Sequence, residues 1–227
     1  MDSGKFLHRR LRSSIRHALL VSVIVAASGV AGQPTESSGS ARGYATIEAF
    51  LGEVRSLTAD FRQELYNADR DLLQTETGTL SLERPNRFRW NYVDPTVLTV
   101  VADGSRLWIY DVELEQVTVA PFDDNVASSP AMLLSGDRNV REEFEVVQTY
   151  TFDALEWVKL APIAGGSDFI SVAIGFSGTE PRRLELVDGL NQVTRIELTN
   201  LVVNPELDSA LFELEVPAGV DVIGGEG

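Results

Sequence analysis

Residues Glu83 to Tyr92 read ERPNRFRWNY. Ahead of the turn, Leu80 and Leu82 alternate with Thr79, Ser81 and Glu83; after it, Phe88, Trp90 and Tyr92 alternate with Arg87, Arg89 and Asn91. Strict alternation marks strands with one apolar and one wet face, and Pro85 with Asn86 supplies the short turn between them. Counting by twos from Leu80 puts Arg84 in phase with the apolar residues. A guanidinium cannot shed its charge, so an arginine aimed at an apolar face must find acceptors or reach the rim. The pattern leaves two outcomes open: Arg84 bonds to acceptors over that face, or its stem covers apolar surface while its head reaches water.

At 227 residues the chain suits one domain behind a removable leader. Lys5, Arg9, Arg10, Arg12 and Arg16 precede an apolar run from Ala18 to Ala27, with small residues at Gly29, Ala31 and Gly32. That is the three-part pattern of a secretory signal peptide, expected over residues 1–31 with cleavage after Gly29-Val30-Ala31. The apolar run is short of the roughly 20 residues that a membrane span requires. Residues 32–43, rich in Ser and Gly, are expected to be a disordered linker, leaving 44–227 as the domain.

Losing the leader takes the balance from 19 basic and 34 acidic residues to 14 and 33, a net charge of -19. Such a chain repels nucleic acid and anionic lipid surfaces. Solubility or a salty habitat explains the charge more simply than recognition of a basic partner. There is no cysteine, and both histidines, His8 and His17, fall in the leader. Serine–histidine triads, thiol nucleophiles and the common zinc and copper sites are thereby removed, so neither a metal nor a cofactor is expected. A carboxylate-dependent hydrolase is the enzyme class still open, and no acidic pair stands out by spacing.

Tyr44, Ile47, Phe50, Leu51 and Val54 recur at helical spacing and predict an amphipathic helix of about three turns. From Leu57 the period becomes two, and strands joined by tight turns follow: Leu57–Leu65, Leu72–Leu82, the organising stretch, Val97–Ala102, Arg106–Asp111 and Gln116–Ala120. Asp103-Gly104 is a strong hairpin signal. Connections this short make an antiparallel meander, because parallel neighbours need long crossovers. Between Pro121 and Glu143 the alternation stops. Ser129 before Pro130, then Ala131 to Leu134, closed by Gly136, carries helix signals at both ends; such a helix can cap a barrel mouth or plug a core. Strands resume at Phe144–Tyr150, Leu155–Ala161, Phe169–Phe176, Arg183–Asp188 and Val193–Val203.

RPNxFxW at Arg84 to Trp90, the Asp-Gly turn, LWxYD at Leu107 to Asp111, Gln116-Val117 and the LTADFRQ opening strand at Leu57 together resemble the periplasmic outer-membrane lipoprotein carrier family, LolA. The resemblance implies an α+β, mainly β fold: an unclosed antiparallel β-barrel, a curved sheet of about ten or eleven strands, with an α-helical lid over an apolar cavity. It implies a periplasmic carrier, not an enzyme and most simply a monomer, that takes lipoproteins from an inner-membrane ABC-type release complex to an outer-membrane receptor lipoprotein of the LolB type. By the same resemblance Arg84 is the lid latch, Leu80, Leu82, Phe88 and Trp90 contact acyl chains, and Pro130, Met132, Leu133 and Leu134 form the lid helix. Ala131 stands where a bulkier apolar residue is common. The alternative is a generic periplasmic lipid-binding or envelope-stress sensing protein of the same fold.

Overall fold

The computed structural model describes residues 38–122, 134–136, 140–163 and 168–224. Helix α1 (Ser38–Glu53) is followed by β1 (Ser56–Tyr66), β2 (Leu72–Glu83), β3 (Arg87–Asp94), β4 (Leu98–Asp103), β5 (Arg106–Asp111) and β6 (Gln116–Pro121). After the short α2 (Val140–Glu143) come β7 (Phe144–Phe152), β8 (Leu155–Pro162), β9 (Phe169–Ser177), β10 (Glu180–Asp188) and β11 (Val193–Val203). A 3-10 turn (Ser209–Phe212) then leads to β12 (Asp221–Gly224). All twelve strands form one sheet in the order β12-β6-β5-β4-β3-β2-β1-β11-β10-β9-β8-β7. Its two end strands, β12 and β7, do not pair, so the barrel stays unclosed as expected.

Every neighbouring pair but one is antiparallel. The exception corrects the expected all-antiparallel sheet of ten or eleven strands: β12 runs parallel to β6, with Val222 opposite Val117. The connection a parallel neighbour requires runs through β7 to β11, and the segment after β11 brings the chain back to the β6 edge. Asn204 starts it by accepting the Arg55 and Ser56 amides at 2.7 and 3.3 Å and donating to the Glu53 carbonyl at 2.9 Å. Phe212 anchors its middle, buried beneath the Arg87 guanidinium, which lies 5.5 Å from the ring centroid.

The α1 helix begins at Ser38, inside the stretch expected to be disordered, so the boundary at Tyr44 is corrected to six residues earlier. Small residues there serve close packing and not flexibility. A Cβ on Gly43 would meet Val146 Cγ1 at 2.6 Å and Thr149 Cγ2 at 2.8 Å, so only glycine lets the helix lie this near β7. The Tyr44 hydroxyl donates to the Phe144 carbonyl at 3.0 Å and accepts the Val146 amide at 3.3 Å; Ser40 Oγ donates to the Val146 carbonyl at 3.3 Å. The helix thus occupies the free edge of the last strand, where an exposed ladder of amides and carbonyls would invite another chain.

Tyr44, Ile47 and Phe50, the stripe read from helical spacing, all join the buried cluster on the sheet's concave face. Trp157 is buried outside that cluster, stacked at 5.9 Å on Tyr150. Trp108 is half-buried, and its indole donates to Asp103 at 2.9 Å.

Candidate functional site

Register brings the organising stretch onto a single face. Leu80 lies opposite Trp90 and Leu82 opposite Phe88, while on the other side Ala59 faces Leu80 and Leu57 faces Leu82. Leu80, Leu82, Phe88 and Trp90 are 1%, 0%, 0% and 3% exposed, all in one apolar cluster with Phe50, Phe61, Leu134 and Phe176. Gly78 makes room for the ring layer: a Cβ there would fall 1.9 Å from the Asn91 carbonyl oxygen and 2.7 Å from the Phe61 ring. Phe61 packs against Trp90 at 4.9 Å and edge-on against Tyr92 at 5.1 Å.

Arg84, just past the end of β2, is half-buried and finds acceptors over the apolar face. Its Nε donates to the Val54 carbonyl at 2.7 Å, beyond the end of α1, and its Nη1 to the Gly136 carbonyl at 2.6 Å. The guanidinium carbon sits 4.6 Å from the centroid of the Phe50 ring. Two residues further on, the Asn86 amide donates to the Ser135 carbonyl at 3.1 Å. The turn flanking Pro85 therefore grips residues 135–136 at two points. Leu134, with helical backbone, is fully buried beside that grip. Pro130, Ala131, Met132 and Leu133 lie outside the described residues.

Toward the end of β3 the same face becomes polar. The Tyr92 hydroxyl donates to Gln63 Oε1 at 3.3 Å, and Gln63 Nε2 donates to Glu76 Oε2 at 3.0 Å. Burial, assisted by the negative Glu76, pushes the Tyr92 hydroxyl well above the usual phenol range, so it stays protonated. Pattern reasoning missed this trio; Gln63, in phase with Ala59 and Phe61, was its available signal. It also missed Phe50 as the ring beneath Arg84, since the packing of a helix stripe on a sheet strand is invisible to periodicity.

On the outer face a furrow of about 520 Å³ is lined by aromatic residues including Tyr150 and Phe152 and by charged residues of β1, β10 and β11. Its carboxylates are engaged by arginines: Glu64 with Arg62 at 2.8 Å, Glu185 with Arg195 at 3.0 Å and Glu197 with Arg183 at 3.2 Å. Hydrogen bonds from Tyr66 and Arg62 lower the Glu64 pKa, the opposite of what a general acid needs. Among the described residues no three His, Cys, Asp or Glu side chains are grouped to hold a metal ion, and no helix is long and apolar enough to cross a membrane.

The family model of the outer membrane lipoprotein carrier protein LolA matches residues 52–215, which includes the organising stretch, the polar trio and most of the segment between β11 and β12. The chain belongs to the LolA family. That is a family of carriers, and its members match this chain along most of its length. An outer-membrane lipoprotein carrier protein of Methylobacillus flagellatus is 37% identical over 184 residues, 81% of this chain and 90% of that protein. One of Dechloromonas aromatica is 39% identical over 178 residues, covering 78% and 86%. In fold alone, the chain is similar to the crystal structure of an uncharacterized conserved protein from Thermus thermophilus, with TM-score 0.51 at 13% identity over 81% of this chain and 98% of that one.

Proposed function

We propose that this protein carries outer-membrane lipoproteins across the periplasm by holding their acyl chains against the concave face of its sheet. What supports this reading is the bridge from Arg84 to the carbonyls of Val54 and Gly136, set over a face whose described side chains are hydrocarbon and aromatic. The magnitude of the task explains the need for shelter. At about 0.8 kcal/mol per methylene, a chain of about sixteen carbons costs roughly 12 kcal/mol to leave in water.

Closure works by competition. In the empty carrier the apolar face is satisfied by its own cover, and the carbonyls of Val54 and Gly136 by Arg84. Entering acyl chains take over the apolar contacts and displace the cover, at the expense of hydrogen bonds worth about 1.5–3 kcal/mol each when the donor is charged. On delivery those bonds re-form, and their return makes release downhill. Leu80, Leu82, Phe88 and Trp90 would touch the chains; Pro130, Met132, Leu133 and Leu134 would form the displaced helix. An inner-membrane ABC-type complex would load the carrier and an outer-membrane receptor lipoprotein of the LolB type would unload it. With no cysteine to take a lipid, the chain suits the soluble leg of that route. It acts without a chemical step of its own.

Displacement of a fluorescent fatty acid by a purified triacylated lipoprotein tests this. Competition by the acylated form, and none by its delipidated counterpart, is expected. Equal competition by both would remove the acyl chain as the recognised group.

A further inference from the structure

Trp90 is almost wholly buried, and its indole Nε1, sealed from solvent, has no hydrogen-bond partner among the described residues. Buried donors are nearly always satisfied, and an exception calls for a reason. The neighbours of this ring are apolar on one side and polar on the other. Phe88, fully buried in the cluster, precedes it on the same face of β3; Tyr92 follows, with its hydroxyl on Gln63 and Gln63 on Glu76. Two residues of strand span about 7 Å, so the passage from hydrocarbon-like to polar surroundings takes place across Trp90 itself. Phe61 sits against both rings, 4.9 Å from Trp90 and 5.1 Å from Tyr92, which fixes their positions.

An acylated cargo has the same profile. Its chains are pure hydrocarbon, its peptide end is polar, and at the junction stand ester carbonyls, which accept hydrogen bonds and have no donor of their own. A lone N–H donor at the boundary of an apolar face is the complement of such a carbonyl. We infer that the Trp90 indole N–H receives a carbonyl of the linkage joining the acyl chain to the lipoprotein, which rests on the carrier function proposed above. The unmet donor then has a physical sense: in the closed empty state it is unsatisfied, and the satisfied state is the loaded one. The hydrogen bond sets the depth of the cargo, with chains lying over Phe88, Leu80 and Leu82, and the peptide end leaving past Tyr92 and Gln63.

The test compares two synthetic lipopeptides of equal chain length on the full mature protein, one with ester-linked chains and one with ether-linked chains lacking the carbonyl. The wild type should bind the ester form about tenfold more tightly, as one hydrogen bond to a buried donor allows. Trp90→Phe should lose the ester preference, binding both forms with similar affinity, while its smaller ring lowers both affinities and the unfolding midpoint. A second variant carrying the benzothiophene isostere of tryptophan at position 90 keeps both rings, removes only the N–H and should bind both equally, at the wild-type ether affinity. Tyr92→Phe should retain the ester preference. Equal wild-type affinities, or an ester preference that survives loss of the N–H, would overturn the assignment to Trp90, as would its disappearance in Tyr92→Phe. Failure of the wild type to bind either lipopeptide would overturn the carrier function itself.

Discussion

Replacing Arg84 by leucine removes a side chain that joins the α1 end, the β2–β3 turn and Gly136. Leucine retains an apolar stem against Phe50, so the underlying packing survives. Of the bonds lost, the one to Val54 orients the guanidinium, while the one to Gly136 at 2.6 Å is the one the proposed closure relies on. A bond with a charged donor is worth about 1.5–3 kcal/mol, and at about 2 kcal/mol its loss favours the open cover roughly 30-fold. The Asn86 amide, which donates to the Ser135 carbonyl at 3.1 Å, reports directly on closure. Its hydrogen exchange, measured residue by residue in the empty protein, should accelerate roughly 30-fold in Arg84→Leu, while amides of β10 and β11 keep wild-type rates. Arg84→Lys should fall between, because a single ammonium lacks the fork that spans both carbonyls. In delivery, the variant should accumulate in the loaded form, since release no longer regains the bond. An Asn86 exchange rate unchanged in Arg84→Leu would refute the latch.

Tyr44→Phe should leave the Phe144 carbonyl and Val146 amide at the sheet edge without their partner, cost about 1–2 kcal/mol and raise exchange at Val146 first; a urea titration with exchange read-out checks both. Gly43→Ala should destabilise by about 1 kcal/mol, the overlap with Val146 and Thr149 outweighing alanine's better helix propensity, seen as a lower urea midpoint. Asp103 sits in the β4–β5 turn, where burial alone would raise its pKa, but bonds from Trp108, Ser105 and Arg106 outweigh that and hold it below the ordinary value. A depressed folded pKa contributes stability that is present above the unfolded value of about 3.9 and is lost as pH falls through the folded one. Asp103→Asn should therefore lower the unfolding midpoint at pH 7 and show a shallower stability loss than wild type below about pH 4.

Strand positions were legible because alternation survives wherever one face is wet: β1 to β6 and β7 to β11 lie within a few residues of the pattern. Arg84 was legible as a misfit, a permanent charge in an apolar phase, although its acceptors at Val54 and Gly136 are 30 and 52 residues away and no local pattern names them. Three features escaped. Four residues of β12 lie parallel to a strand more than a hundred positions earlier, held by a segment whose contacts, Asn204 to Ser56 and Arg87 to Phe212, are tertiary. The start of α1 escaped because Ser and Gly mean flexibility in an isolated chain and close approach when a sheet edge lies against them. The Tyr92–Gln63–Glu76 trio was hidden for a related reason: each member is ordinary alone, and only the pairing of Gln63 with Glu76 across β1 and β2 makes a polar end of the apolar face.

Native mass spectrometry of the protein taken from the periplasm of cells making lipoproteins asks most directly whether acyl chains occupy the concave face. A population whose added mass equals an acylated polypeptide, absent when lipoprotein acylation is blocked and enriched in Arg84→Leu, is the predicted result. Protein that emerges bare from both the wild type and the variant would contradict it.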